Sequence, residues 1–153
     1  MDVSRLVELN AAYARAINNE DFEAWPGFFS ESCLYKLTTV DNLAQGLESG
    51  LIWADSRGML EDRVSALRTA NIYERQRYRH IVGLPAVLER RDDGARVETP
   101  FLIVRIMRDG RMEVFATGRY LDHVVDAGGT LKFRERVVAC DGGRFDTLVA
   151  IPF

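Results

Sequence analysis

Apolar residues recur with two different periods along this chain, and the change of period divides it into a helical half and a strand-rich half. In the first half, a spacing near 3.6 predicts helices over residues 3–17 and 21–28, the first of them capped by Asp2. A third helix is predicted from Asp55 or Ser56 to about residue 71 or 73. A strand over residues 33–38 and a loop over residues 41–50 are predicted between the second helix and the third.

From Tyr78 onward the period becomes 2, which is typical of strands with one buried face. Strands are predicted over residues 81–90, 97–107, 112–122 and 131–139, and residues 145–153 close the chain. Pro85 suggests an edge or a bulge in the first of these strands, and Gly118 is a natural bend point. Turns are predicted at residues 109–110, 126–129 and 141–143. Within the strand over 112–122, the even-numbered positions are predicted to share one face.

Helices followed by an antiparallel meander indicate the α+β class. The length of 153 residues, without repeats or a linker, indicates one domain over residues 1–153. This order of elements resembles the nuclear-transport-factor-2 cone, in which long, strongly curved strands wrap around an amphipathic helix. That fold serves enzymes and non-enzymes alike, so the function has to be argued from a site.

Composition excludes several broad classes. The net charge is −3, although 18 of the 20 basic residues are Arg and only Lys36 and Lys132 are Lys, so binding to nucleic acid by bulk charge is disfavoured. No apolar run approaches the roughly 20 residues that span a bilayer, and the N-terminal segment lacks the apolar core of a signal peptide. Two distant cysteines fit a reducing compartment. We therefore expect a cytoplasmic protein that binds neither membrane nor nucleic acid.

Metal chemistry can be tested by counting ligands. A Rieske centre needs two Cys and two His, and an iron site of the two-His, one-carboxylate type needs two His. The chain has only Cys33, Cys140, His80 and His123, and none of them stands in a CxH or CxxH pair. It also has no GxSxG or GxGxxG motif. No metal, cofactor or nucleophilic site is predicted on this chain.

Acid–base chemistry inside the cone is the alternative that remains open. Burial shifts the pKa of a carboxyl, imidazole or phenol group, and apolar pockets use this for catalysis. The same residues also serve as ordinary core residues with satisfied hydrogen bonds. The candidates are Tyr13, Tyr35, Asp41, His80, Tyr120 and Asp122. The alternative function is a stand-alone small-molecule binder or an enzyme of the isomerase or dehydratase type.

The most unusual segment is the run ANIYERQRYRHIVG over residues 70–83. Arg75, Arg77 and Arg79 alternate, so an extended backbone places all three on one face, about 6.6 Å apart. Like charges so close repel, which calls for acidic partners such as Asp62 or Glu74, or for a partner chain. Arginine mixed with aromatic residues is also the composition of interface hot spots.

The run YERQRYRHIVG resembles the Arg-rich signature of the small (beta) subunits of Rieske-type aromatic-ring-hydroxylating dioxygenases. The resemblance covers nearly the whole chain and includes the blocks AAYA at 11–14, IWADS at 52–56 and VFA at 114–116. Residues 89–98 depart from the family pattern and are predicted to form a solvated hairpin.

The resemblance implies a structural subunit without a catalytic residue. It implies a homotrimer within an α3β3 hexamer, in which the large (alpha) subunit holds the Rieske 2Fe–2S cluster, the mononuclear iron and most substrate contacts. The implied reaction inserts both atoms of O2 into an arene with NADH-derived electrons, and an aromatic carboxylate, terephthalate above all, is the implied substrate. The subunit-interface candidates are Trp53, Asp55, Tyr73, Arg75, Arg77, Arg79 and His80. A plain homo-oligomerising module is the third hypothesis.

Overall fold

A computed structural model describes residues 1–46, 52–69, 76–142 and 151–153 of the chain. Its helices are α1 (Val3–Asn18), a 3₁₀ helix (Phe22–Phe28), α2 (Val40–Ala44) and α3 (Arg57–Thr69). Its strands are β1 (Phe29–Thr39), β2 (Ile52–Ala54), β3 (Gln76–Val82), β4 (Ala86–Arg91), β5 (Gly94–Met107), β6 (Met112–Ala127) and β7 (Thr130–Cys140). The helices precede most of the strands, which confirms the α+β class.

The predicted starts of α1 and α3 are confirmed by capping hydrogen bonds. Asp2 Oδ1 accepts from the Ser4 backbone N–H at 3.1 Å and so caps α1. Ser56 Oγ accepts from the Met59 backbone N–H at 3.2 Å at the start of α3. The predicted end of α3, and most of the predicted closing segment 145–153, lie outside the described residues. None of the described helices is long and apolar enough to cross a membrane.

All seven described strands form one sheet, which curves around α1. The order is β2-β1-β7-β6-β5-β3, and β4 pairs with the same edge of β5 as β3 does. Among the described strand pairs, only β1–β7 is parallel. Within this curved sheet the backbones of β6 and β7 approach closely at Gly118. A Cβ added there would lie only 2.1 Å from the Ala139 carbonyl oxygen, so only glycine fits. The core fills the space between α1 and the inner face of the sheet.

Two predicted elements, the strand over residues 81–90 and the loop over residues 41–50, need correction. The prediction of a single strand over residues 81–90 is wrong. The chain forms β3 and β4 in its place, separated by Gly83, Leu84 and Pro85. Pro85 lacks a backbone N–H, so it cannot donate to the sheet in the gap between β3 and β4. The loop over residues 41–50 begins as α2, since Thr39 Oγ1 accepts from the Asn42 backbone N–H at 3.1 Å and caps a short helix.

The prediction that the even-numbered positions 112–122 share one face is also wrong. Ala116 pairs with Ile103, but Val114 pairs with Val104, so Phe115 is an extra residue in β6. This bulge reverses the alternation. The even-numbered residues from Ala116 to Val124 point inward, whereas Met112 and Val114 are about 70% exposed on the outer face.

A second bulge shifts the alternation in β7. His123 pairs with Glu135 and Val124 pairs with Phe133, which leaves Arg134 as the extra residue. Before the bulge Phe133 faces inward, and after it Arg136 does. The sheet therefore places an arginine side chain inside the cone.

Candidate functional site

A fully buried ion pair lies at the centre of the cone. Arg136 and Asp122 are directly opposite on β7 and β6, and their side chains are at most 1% exposed. Arg136 Nε and Nη2 donate to the two carboxylate oxygens of Asp122 at 2.9 and 2.8 Å. Arg136 Nη2 also donates to Asn10 Oδ1 at 2.6 Å, and Asn10 Nδ2 donates to Thr99 Oγ1 at 3.3 Å. This network joins α1 to three strands.

Aromatic rings enclose the guanidinium group of Arg136. Its central carbon lies 3.8 Å from the ring centroids of Tyr120 and Phe133 and 4.4 Å from that of Tyr13. Burial opposes the charge of Arg136, but the charge and hydrogen bonds of Asp122, with smaller contributions from Tyr13 and Tyr120, together raise the pKa of Arg136. Burial raises the pKa of Asp122, and Arg136 opposes that rise. The carboxylate of Asp122 is thus engaged by Arg136.

The buried tyrosines are poor proton donors near neutral pH. Burial raises the pKa of Tyr13 to about 12 and the pKa of Tyr120 well above its usual value. Tyr13 Oη donates to the Phe153 carbonyl at 2.6 Å and accepts from Trp25 Nε1 at 2.9 Å. Tyr35 Oη accepts from the Phe153 backbone N–H at 3.2 Å. The hydroxyl groups of Tyr13 and Tyr35 connect core elements, as buried Tyr hydroxyls usually do.

His80 lies on β3, and its buried side chain faces α1. Its backbone N–H donates to Asn18 Oδ1 at 2.8 Å, and its Nδ1 lies 3.2 Å from the same oxygen. Burial, with a smaller contribution from Arg136, lowers the pKa of His80 to about 3. The ring is therefore neutral and a weak base. Asp41 is exposed on α2, so the candidate acid–base residues do not form a single site.

The outer side of the sheet around β3 carries an exposed aliphatic surface with two arginines. Arg77 and Arg79 are exposed and lie opposite Ile106 and Val104 of β5. Beyond β5 come Met112 and Val114 of β6. We call this surface the arginine–aliphatic face; it consists of Arg77, Arg79, Ile81, Leu102, Val104, Ile106, Met112 and Val114. A contiguous exposed apolar patch of this kind marks an interaction surface.

The opposite end of the sheet has different chemistry. Trp53 of β2 is 43% exposed, and Lys36 Nζ lies 5.5 Å from its ring centroid. Asp55 follows β2, and its backbone N–H lies 3.5 Å from Met59 Sδ. Exposed carboxylates continue along α3. We call this surface the acidic–aromatic end; it consists of Trp53, Asp55, Met59, Glu61 and Asp62.

The structure thus divides the predicted interface residues between two surfaces. Trp53 and Asp55 lie at the acidic–aromatic end, and Arg77 and Arg79 lie on the arginine–aliphatic face. His80 is buried behind the two arginines, while Tyr73 and Arg75 lie outside the described residues. Across the described part of the chain, no three His, Cys, Asp or Glu side chains come together as metal ligands would.

Sequence reasoning missed Arg136 and the aliphatic residues around Arg77. The available signal for Arg136 was its position next to the apolar run Val137 to Cys140 in a predicted strand. A charged residue in such a run is buried only when it is paired, and Asp122 is the partner that the register supplies.

Comparison with known proteins identifies the family. The family model described as "Ring hydroxylating beta subunit" matches residues 12–146. A relative from Comamonas sp., the terephthalate 1,2-dioxygenase terminal oxygenase component subunit beta 1, is 49% identical over 97% of this chain and 96% of its own length. The anthranilate 1,2-dioxygenase small subunit of Burkholderia cepacia is 34% identical over 94% of this chain and 89% of its own.

A solved structure agrees with both sequence relatives. The crystal structure of a beta subunit assigned to an aromatic-ring-hydroxylating dioxygenase of Novosphingobium aromaticivorans superposes with a TM-score of 0.91 at 32% identity. The match covers 99% of this chain and 96% of the other. The expected cone fold is confirmed, and the dioxygenase-subunit hypothesis is favoured over a stand-alone binder or acid–base enzyme. The chain belongs to the family of ring-hydroxylating dioxygenase beta subunits, the components that accompany the large subunit of these oxygenases.

Proposed function

We propose that this beta subunit serves an oxygenase that cis-dihydroxylates an aromatic carboxylate, with terephthalate as the favoured substrate. The single observation that carries this proposal is the 49% identity, over nearly the full length of both chains, to a beta subunit named for terephthalate. A second relative is named for anthranilate, which is also a benzoic acid. The carboxylate class is therefore supported by two relatives, and terephthalate by the more similar one.

The role proposed for this chain is structural. The Rieske cluster and the mononuclear iron belong to the large subunit, where O2 and NADH-derived electrons meet the substrate. The described interior supports this division of labour, because Asp122 is engaged by Arg136 and His80 stays neutral with a pKa of about 3. What this chain contributes is a rigid cone with chemically distinct surfaces.

We further propose that the chain forms a homotrimer within a cytoplasmic α3β3 hexamer. Trp53, Asp55, Arg77 and Arg79 are exposed at opposite ends of the sheet, where neighbouring subunits can reach them. The proposed interface set also includes Tyr73 and Arg75, with His80 supporting the arginine strand from behind. The NADH-dependent reaction and the two buried free cysteines support the cytoplasm as the location.

The test is co-expression with the large subunit encoded beside this chain, identified by its Rieske CxH and CxxH motifs. Size exclusion with light scattering should show a complex of three small and three large chains. Oxygen uptake and dihydrodiol formation should be highest with terephthalate among benzoate, phthalate, anthranilate and terephthalate. The control is the large subunit purified alone. Absence of a complex, together with large-subunit activity that does not depend on this chain, would refute the proposal.

A further inference from the structure

We propose that copies of this chain join head to tail, with the acidic–aromatic end of one copy seated on the arginine–aliphatic face of the next. This inference rests on the proposed trimer and deepens it, because it names the two surfaces that meet. The occupant of the arginine–aliphatic face is a second copy of the chain.

The placement of the two surfaces favours a head-to-tail contact. They lie at opposite ends of one curved sheet, beside β2 and beside β3. An isologous contact pairs a surface with itself, whereas a heterologous contact pairs two different surfaces and closes a ring when the rotation allows it. Two arginine-bearing faces brought together would repel, so the arginine–aliphatic face is unsuited to pairing with itself.

The charges of the two surfaces are complementary. Arg77 and Arg79 are exposed, and neither forms an ion pair with any residue in the described ranges. At the other end, Asp55, Glu61 and Asp62 are exposed and likewise form no ion pair within the described part of the chain. Three carboxylates on one copy and two guanidinium groups on the next supply the pairing that each surface lacks alone. Arginine is suited to this role because its planar fork binds a carboxylate with two hydrogen bonds.

The apolar parts of the two surfaces also match. Trp53 and Met59 are 43% and 39% exposed, and Ile81, Met112 and Val114 are between 55% and 70% exposed. A buried Trp anchor on an aliphatic surface, with arginine stacked on its ring, has the composition of an interface hot spot. Met59 and Asp62 are three residues apart on α3 and so share a helix face, which brings apolar and acidic groups to the same contact.

Both halves of the complementary pair occur on one chain, and this favours a second copy over the large subunit as the occupant. In a closed ring each copy uses both ends, so no exposed aliphatic patch or uncompensated arginine pair remains at the contacts. The surface left over, away from the two ends of the sheet, is then available to the large subunit.

Cysteine cross-linking tests the proposal directly. Arg79→Cys and Asp55→Cys are made singly and together, and each protein is treated with a short bismaleimide. The reaction is run on the purified chain and, in parallel, on its complex with the large subunit. Wild-type protein is the background control, since Cys33 and Cys140 are buried. The double variant should give covalent dimers and trimers, and each single variant should give none.

Covalent dimers from Arg79→Cys alone would show an isologous contact and overturn the proposal. Cross-links to the large subunit, or no cross-linked product in either preparation, would overturn it as well. Charge reversal supplies a second readout: Arg79→Glu and Asp55→Arg should each weaken self-association at least tenfold, and the double variant should recover most of the loss. Because the purified chain is assayed without the large subunit, a failed complex with that subunit refutes the proposed function separately.

Discussion

Removing the charge of Asp122 should destabilise the cone strongly. In the Asp122→Asn variant, the Arg136 guanidinium remains buried between Tyr120 and Phe133 without its carboxylate partner. Asn10 Oδ1 still accepts from Arg136 Nη2, but an amide oxygen does not neutralise the charge. Breaking a buried pair by removing one partner costs about 3–5 kcal/mol, which is a large share of a typical stability of about 5–15 kcal/mol.

The measurement is equilibrium urea unfolding followed by the fluorescence of buried Trp25, with calorimetry as a second probe. For a domain of this size, a loss of about 3–5 kcal/mol lowers the Tm by roughly 6–20 °C. Protein concentration must be varied, because self-association adds to apparent stability. The control is Arg134→Met on β7, the strand of Arg136; the pair of Arg134 with Asp93 is about half exposed and so contributes about 0–1 kcal/mol.

A double variant completes the test of the ion pair. Asp122→Leu with Arg136→Met replaces both charges by apolar groups of similar size, and such replacements are often neutral or stabilising. The double variant should therefore be more stable than Asp122→Asn, with a coupling energy of about 2 kcal/mol or more. If Asp122→Asn loses under about 1 kcal/mol, or if the single effects of Asp122→Leu and Arg136→Met simply add, the ion-pair reasoning is wrong.

Three further predictions follow from other contacts. The pKa of His80 is lowered from 6.5 to about 3, so above pH 6.5 the imidazole is neutral in both the folded and the unfolded chain. Below pH 6.5 only the unfolded chain binds the proton, so stability at pH 5 should be about 2 kcal/mol below that at pH 8. His80→Gln should flatten this slope in urea titrations, whereas His123→Gln should keep it; an unchanged slope in His80→Gln contradicts the assignment. Gly118→Ala should cost about 1–3 kcal/mol because its Cβ would meet the Ala139 carbonyl oxygen at 2.1 Å, while Gly27→Ala, which meets nothing within 4 Å, should be nearly neutral in the same unfolding assay. Arg77→Glu should weaken assembly in size exclusion without changing the circular dichroism of the chain, and exposed Arg96→Glu should not; a normal hexamer with Arg77→Glu would count against an interface at β3.

Sequence periodicity predicted α1, the 3₁₀ helix, the start of α3 and the long strands β5 to β7, because each of these depends on local pattern. Leu6, Tyr13 and Ile17 bury one face of α1 as their spacing indicates, and residues 97–107 of β5 alternate as predicted. The bulges could not be predicted from the sequence, because a bulge is defined by the pairing with the partner strand and not by the strand that contains it. The extra residue at Phe115 therefore reversed the predicted face of Met112, and the extra residue at Arg134 shifted the alternation of β7 that buries Arg136.

The candidate surfaces, too, were predictable from the sequence only in part. The alternation of Arg77 and Arg79 is visible in the sequence, and their exposure on one face is confirmed. The aliphatic residues around them come from β5 and β6, so only the register of three strands assembles that surface. The pairing of Asp122 with Arg136 depends on cross-strand register in the same way.

The parallel pairing of β1 with β7 has a consequence for synthesis on the ribosome. Tyr35 of β1 pairs with Arg136 of β7, so about 100 residues separate the two partners along the chain. At about 5–20 residues per second, β1 waits roughly 5–20 s for the strand that completes it, and its interior groups stay open to wrong partners during that time. Long-range pairing of this kind also slows folding after release. A nascent beta subunit therefore depends on β7 to close the cone, and premature termination before residue 130 should leave an aggregation-prone sheet edge along β1.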